Sequence, residues 1–254
     1  MKNLFTSLIF LSCTFAFAQG YLQTHVIKVT NGNDVPAFIE AQKNVYSKLA
    51  TLAVKEGKMG GWSAHQGVNK PNTFVFLHFF NSLEQRAAYD GYSVWNSENL
   101  KKLGLEAPAT IATTSDDPLV TYYVPTWVGT DGEIANYHMI NHHKYIDGVT
   151  YTKSQMTWKD YISKATANGM AKSKTWAFGY VISFGGEAVD TNGISFDGYE
   201  NLTDLFMDRQ NMADPNFTPN PLLQKWSENW ASNDYEENIK FLESYTVKTI
   251  ASAL

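Results

Sequence analysis

Cysteine is almost absent from this sequence of 254 residues, because the only one is Cys13. It lies inside residues 1–18, a segment with the composition of a removable leader. A mature chain without that segment holds no thiol. Disulfide bonds, thiolate nucleophiles and cysteine-based metal sites are therefore excluded from the expected mature protein.

Charge is scarce as well, since charged residues make up 18% of the chain and the formal net charge is −5. No run of Lys and Arg forms a basic stripe, so nucleic acid is not expected as a partner. No segment after residue 18 contains about 18 uninterrupted apolar residues, so we expect no membrane-spanning helix.

Short catalytic motifs are also missing. The sequence has no Gly-x-Ser-x-Gly elbow, no phosphate-binding glycine loop and no dinucleotide fingerprint. These absences exclude the common serine hydrolases, P-loop enzymes and nicotinamide-dependent dehydrogenases from the expected classes. No cofactor is predicted from the residues.

The first residues, MKNLFTSLIFLSCTFAFAQG, have the order of a secretory signal peptide. Lys2 supplies the positive charge, residues 4–17 form a short apolar run, and Ala16-Phe17-Ala18 fits the small-residue cleavage pattern. We expect cleavage after Ala18 and export to the periplasm or the extracellular space. The alternative is a lipoprotein anchored at the cysteine, although the residues before it are an imperfect lead-in.

An internal repeat is the main positive feature of the sequence. THVIKV around His25 resembles YHMINH around His138, and GWSAHQG with Trp62 resembles TWAFGY with Trp176. Two further matches follow in the same order, WNSENL with WSENWA and TYYVPTW with SYTVKTI. Four matches in one order indicate that the same structural unit occurs twice, over residues 20–130 and 131–254.

Each repeat has the hydrophobic pattern of a β-α-β-β-α-β unit with a four-stranded antiparallel sheet. In the first repeat we expect strands over residues 23–30, 59–67, 72–80 and 119–128, and helices over residues 35–57 and 82–103. In the second we expect strands over residues 134–142, 173–185, 192–197 and 244–250, and helices over residues 154–169, 199–210 and 222–242.

Two such ferredoxin-like repeats in one chain resemble the dimeric α/β barrel superfamily, in which two sheets face each other and close a barrel. The resemblance covers residues 20–254 and implies an α+β fold, an intrachain pseudo-dimer of two βαββαβ repeats. Members include monooxygenases acting on polyketide-like aromatics, haem-degrading enzymes, haem peroxidases and isomerases, so no single reaction is implied. A bound haem is compatible with this resemblance, although no residue motif predicts it.

Histidines are the first candidates for a functional site. Alternate residues of a strand share a face, and the repeat gives His25 and His138 equivalent places on the two first strands. We therefore expect both near the barrel interior, where imidazoles can act as general bases. The alternative is that both are satisfied by backbone groups within a sheet.

The other histidines have different expectations. His65 stands where the second repeat has Gly179, and this asymmetry makes it a third catalytic candidate. His142 is a candidate ligand-binding residue, whereas His143 is expected in the loop after the strand. Adjacent strand residues point to opposite faces, so no metal site is predicted here. His78 is an iron-ligand candidate by side-chain type alone.

Trp62 and Trp176 are candidate ligand-binding residues, because aromatic side chains on neighbouring strands can line an apolar pocket. They suit the core between sheet and helices equally well. The favoured hypothesis is an exported protein that binds a small apolar or aromatic molecule in a barrel cavity. The alternatives are a cofactor-poor monooxygenase or isomerase with a histidine base, and an accessory protein without catalysis. A homo-oligomer is compatible with each of these hypotheses.

The leader generates the first testable prediction. The exported protein should begin at or near Gln19 and contain no cysteine, because signal peptidase cleaves after small residues at the positions of Ala16 and Ala18. N-terminal sequencing and thiol titration of the mature protein measure both properties. A lipid-modified N-terminus at Cys13 would contradict the prediction.

Overall fold

The computed structural model describes residues 20–115, 119–129, 134–185, 191–213 and 218–254. The expected leader, residues 1–18 with Cys13, lies outside these residues. Within the described part of the chain, no helix is long and apolar enough to cross a membrane.

Nine strands and nine α-helices make up the described chain. The strands are β1 Gly20–Val29, β2 Gly61–Gly67, β3 Thr73–Phe80, β4 Thr113–Thr114, β5 Leu119–Gly129, β6 Tyr137–Tyr145, β7 Thr175–Gly185, β8 Gly193–Tyr199 and β9 Ile239–Ala253. The helices are α1 Val35–Ala41, α2 Ser47–Lys55, α3 Leu83–Ala88, α4 Gly91–Val94, α5 Ser97–Lys102, α6 Gly148–Ala167, α7 Leu202–Ala213, α8 Pro221–Ser232 and α9 Tyr235–Asn238.

Eight of the strands close an antiparallel barrel. In the first half β1 pairs with β3 and β5, and β3 pairs with β2. In the second half β6 pairs with β8 and β9, and β8 pairs with β7. Two seams join the halves, β2 with β9 and β5 with β7. This barrel with outer helices confirms the predicted α+β class.

The barrel interior is filled by apolar side chains that alternate with outward ones along each strand. This interior cluster contains no helix residue, and its buried members are Leu22, Val75, Leu77, Val120, Tyr122, Val124, Ile140, Ala177, Ile194, Phe196 and Val247. A ligand cavity was expected inside the barrel, but these side chains pack against one another at its centre. Of the two cavities described below, the smaller lies between the sheet and the helices of the second half, and the larger lies among helices and loops of the first half.

The outward face of the sheet is buried under helices. Trp62, Phe74 and Phe76 pack against α1 and α2 in the first half, and Trp176 and Phe178 pack against α6 and α8 in the second. Both faces of the sheet are therefore apolar. Burial on two sides explains why β3, TFVFLHFF, is almost continuously hydrophobic.

Local signals determine where several helices begin. Asp147 is the N-cap of α6, and its carboxylate accepts hydrogen bonds from the backbone N–H groups of Val149 and Thr150. Ser82 caps α3 by accepting from the N–H of Gln85. The helix expected over residues 35–57 contains a π-turn over Gln42–Tyr46 between α1 and α2.

Several boundaries differ from the expectation, and strand pairing explains two of them. Strand β6 continues to Tyr145, because it pairs with β9 along its whole length. The last helix was expected to reach residue 242, but β9 begins at Ile239. Pairing with a distant strand thus outweighs the loop expected after residue 142 and the helix expected up to residue 242.

Two isoleucines near each other in sequence give a matched stability test. Ile140 is 1% exposed inside the barrel, whereas Ile146 is 83% exposed just after β6. We expect Ile140→Ala to lower the free energy of unfolding by about 2–5 kcal/mol, because it leaves a cavity. Ile146→Ala should change it by less than about 0.5 kcal/mol. Urea unfolding measures both, and equal effects would contradict the placement of β6.

Candidate functional site

The histidines expected to pair lie on opposite faces of the sheet. On β1, Leu22 belongs to the interior cluster, and His25 is an odd number of residues away. His25 therefore points outward, where its ring lies 6.2 Å from that of Phe76. His138 shares the interior face with Ile140. The expected pairing of His25 with His138 in the barrel interior is wrong.

The partner of His138 is His65, from the other half. Their ring centroids are 5.0 Å apart in a T-shaped contact, and both rings are buried. The β2–β9 seam brings them together, since His65 pairs with Thr249 and His138 pairs with Val247. The structure thus unites two of the three catalytic candidates.

Hydrogen bonds account for both nitrogens of His65. The Thr249 hydroxyl donates to the Ala135 carbonyl at 2.7 Å, so at 3.1 Å it accepts from Nδ1 of His65. Nε2 then accepts from the Ser63 hydroxyl at 2.7 Å. Nε2 of His138 donates to the same Ala135 carbonyl at 2.9 Å. His65 therefore has no free nitrogen with which to take a proton from a substrate.

Burial keeps this interior pair neutral. The pKa of His138 is lowered to about 4, because burial outweighs its hydrogen bond to the Ala135 carbonyl. The pKa of His65 lies well below its usual value, through burial first and the nearby His138 second. Groups of the seam thus hold both histidines, and the bond of His138 to a backbone carbonyl agrees with the alternative stated for that residue.

A second group of polar residues lies on the outward face of the first half. We call it the outer cluster, and it consists of His25, His78, Arg86, Tyr89 and Trp95. The ring of His78 lies 5.7 Å from that of Tyr89 and 6.2 Å from that of Trp95. Nε1 of Trp95 donates to the Tyr89 hydroxyl at 2.9 Å. Tyr89 follows α3 and Trp95 follows α4, so the ends of these two helices bring the aromatic rings over β3.

Electrostatics in the outer cluster favour neutral imidazoles beside a cation. Burial lowers the pKa of His25, which is half-buried. The pKa of His78 is lowered to about 3, by burial first and then by the charges of His25 and Arg86, against the Gln23 carbonyl, which raises it. Among the described atoms, Nδ1 of His78 is buried without a hydrogen-bond partner. Such a nitrogen is costly to leave unpaired.

Arg86 carries the positive charge of the outer cluster. Its Nε donates to the Thr121 hydroxyl at 3.2 Å, and its guanidinium lies 5.6 Å from the centre of the Phe80 ring. Partial burial lowers its pKa, although an arginine keeps its proton at neutral pH. The outer cluster therefore combines a base, a fixed cation and aromatic surface.

A cleft of about 450 Å³ adjoins the outer cluster at Tyr89. The end of α2, the loop before α3 and helices α3 and α4 form its walls. The lining residues are Gly57, Lys58, Asn81, Ser82, Glu84, Gln85, Ala88, Tyr89, Asp90 and Ser93. Its size suits a small organic molecule.

The second half holds different chemistry at a corresponding place. Trp62 pairs with His78, and Trp176 pairs with Asp197. The Asp197 carboxylate accepts from the Asn141 amide at 3.1 Å and from Arg209 at 3.4 Å. The pKa of Asp197 is raised, because burial outweighs the opposite effects of Arg209 and the Asn141 hydrogen bond. This carboxylate and Asp208 line a small cavity of about 40 Å³, large enough for one or two water molecules.

His142 and His143 do point to opposite faces, as the strand pattern predicts. Nδ1 of His142 lies 3.4 Å from the carboxylate of Glu243, at one end of the barrel. His143 was expected in a loop, but it lies within β6, and its Nε2 is 2.9 Å from the Ser195 hydroxyl. Burial lowers the pKa of His143 to about 3, with a smaller contribution from His142.

The remaining candidates, Trp62 and Trp176, lie in the core. Trp62 and Trp176 are fully buried in the two outer cores, so neither offers a free surface to a ligand. In the described residues, no group of three or more His, Cys, Asp or Glu side chains is placed to hold a metal ion. Sequence reasoning missed Arg86 and Tyr89, because neither has a motif and both reach the site through α3.

Solved structures of other proteins have a similar fold. An anthrone oxidase-like protein has a TM-score of 0.55 at 10% identity, over 92% of each chain. A protein from Lactobacillus acidophilus described as a monooxygenase has a TM-score of 0.53 at 10% identity, over 92% of this chain and 96% of that one. The chain has the dimeric α/β barrel fold. Protein-family models and curated proteins gave no match.

The neutral interior pair predicts acid sensitivity. His138 has a pKa of about 4 when folded and 6.5 when unfolded, so the unfolded chain binds more protons between these values. Stability is therefore fully present above pH 6.5 and is lost as the pH falls towards 4, by on the order of 3 kcal/mol for this residue. His65 acts in the same direction.

Urea unfolding at pH 7 and pH 5 tests whether the free energy of unfolding decreases as the pH falls. His138→Asn should be less stable than wild type at pH 7 by about 1–3 kcal/mol, because it removes the buried hydrogen bond from the imidazole to the Ala135 carbonyl. Its stability should also depend less on pH. Equal pH dependence in the two proteins would show that His138 does not carry the effect.

Proposed function

We propose that this protein is a cofactor-independent oxygenase for a small aromatic molecule that binds at the outer cluster. The observation that carries the proposal is the half-exposed, neutral His25 beside the buried His78 and the cation Arg86. The two structural neighbours, described as an anthrone oxidase-like protein and as a monooxygenase, support the same class of reaction.

The chemistry begins with removal of a proton from a CH₂ carbon that is conjugated with a ketone through an aromatic ring. His25, neutral at pH 7, accepts that proton, and Arg86 stabilises the oxyanion that forms. Dioxygen is the oxidant, and it takes electrons from the carbanion. The CH₂ carbon loses two hydrogens and gains one oxygen atom, while the second oxygen atom leaves as water. Tyr89 and Trp95 supply the aromatic surface for the substrate.

The strand pairing places different residues at matching positions of the two halves, which supports an intrachain pseudo-dimer with one such site. His78 and Asp197 each pair with a tryptophan, Trp62 or Trp176. We propose that residues 20–130 and 131–254 are the two repeats, and that the second has a carboxylate–arginine pair in place of the imidazole. Export after cleavage near Ala18 is part of the same proposal, so the enzyme would act outside the cytoplasm.

Binding without catalysis is the second candidate, favoured by the cleft beside Tyr89. A ligand held there lies against an aromatic ring without needing His25. This candidate and the oxygenase share the outer cluster but differ in the consumption of dioxygen. One experiment therefore separates them.

Anthrone is a suitable probe, because its central CH₂ lies between two aromatic rings and opposite the ketone. We expect the purified protein to consume dioxygen with anthrone and to form the quinone, measured with an oxygen electrode and by absorbance. His25→Gln should lower the rate about 100-fold or more, because it removes the proton acceptor. Binding with no dioxygen uptake would favour the second candidate.

Two tyrosines provide matched variants for binding. Tyr89 belongs to the outer cluster, whereas Tyr92 is 89% exposed. Tyr89→Ala should weaken anthrone binding about tenfold, because an aromatic wall is lost. Tyr92→Ala should leave it unchanged. Tryptophan fluorescence measures binding, and circular dichroism checks the fold. Absence of binding to the wild-type protein would contradict both candidates.

A further inference from the structure

Strand β9 continues beyond its neighbour on one side. It pairs with β6 from Ile239 onwards, but its pairing with β2 covers only the stretch from Val247 to Ala253. One further bond runs from the Val68 N–H to the Thr246 carbonyl. Within the described chain, residues 240–244 therefore have no ladder partner on the β2 side. All five are exposed, although the strand is buried at either end.

Large apolar side chains are exposed at this edge. Phe241 is 56% exposed and Leu242 is 38% exposed. Ile146 and Val149 are more than half exposed, and Ile146 is bonded to the start of the segment through the Asn238 carbonyl. An exposed strand edge with apolar side chains is a template for pairing with another strand.

A β-bulge aligns two opposite charges on this edge. Lys240 pairs with Lys144 and Glu243 pairs with His142, while Leu242 is the extra residue. In a regular strand, residues 240 and 243 would point to opposite faces. The extra residue shifts the alternation, so Lys240 and Glu243 both point to the face that His142 shares with the barrel interior.

The charge of Lys240 also lacks compensation within the described chain. It lies directly across from Lys144, and like charges in that position are unfavourable. No ion pair joins either lysine to a described carboxylate. A carboxylate from outside, placed on the open side of β9, would relieve this repulsion.

We propose that β9 pairs antiparallel with β9 of a second copy across a twofold axis. In such a pair, residues directly across from each other point to the same face of the sheet. Because the bulge puts Lys240 and Glu243 on one face, Lys240 of one copy can lie across from Glu243 of the other. Phe241 then lies across from Leu242. The sequence Lys-Phe-Leu-Glu is thus complementary to itself when read in reverse, as a twofold interface requires.

The dimer should be weak, because one strand edge buries little area. A dissociation constant on the order of 1–100 µM is expected. This inference is independent of the proposed function. The outer cluster lies on the first half, while this edge belongs to the second.

Sedimentation equilibrium of the purified protein over a range of concentrations tests the proposal. Lys240→Glu should place two carboxylates opposite each other, and Glu243→Lys should place two lysines there. Each change should raise the dissociation constant about tenfold, since the twofold axis creates two such repulsive contacts in every dimer. The double variant with both changes restores opposite charges and should return the constant to within about threefold of wild type.

Lys248→Glu is the matched control, because this exposed lysine also lies on β9 but between β2 and β6. It should leave the dissociation constant unchanged, and thermal unfolding shows whether each variant is folded. A wild-type protein that is monomeric up to about 1 mM would overturn the proposal. So would a dimer that the single variants do not weaken, or one that the double variant fails to restore.

Discussion

Closure of the barrel through two seams is the constraint on which the rest of the structure depends. The pairs β2–β9 and β5–β7 each join a strand of one half to a strand of the other, and they give the sheet an inside and an outside. The inside is packed with its own side chains, and the outside is covered by helices. Every polar side chain on a strand must therefore find a partner in a dry environment.

Polar groups meet that requirement differently on the two faces. Inside the barrel, His65 uses both nitrogens, and Thr249 and the Ala135 carbonyl complete its network. Outside, His78 keeps a buried nitrogen without a described partner, next to the half-exposed His25. A satisfied network stabilises the fold, whereas an unsatisfied nitrogen beside an accessible base is suited to chemistry. This contrast directs the functional proposal to the outer face.

Strand pairs follow the same order in the two halves but carry different polar groups. The place opposite the buried tryptophan holds His78 in the first half and Asp197 in the second. The imidazole has Arg86 near it and the carboxylate has Arg209. The fold thus presents similar positions beneath helices, and the side chains there decide the chemistry.

The sequence alone determined the order of elements and the opposite directions of His142 and His143, because periodicity and turn residues act over short distances. It did not determine which face His25 would take, that His65 would meet His138, or that β9 would begin at Ile239. Those features depend on strand register, and a shift of one residue reverses every side chain. Register is decided by pairing between segments far apart in the chain, and only the tertiary structure brings those segments together.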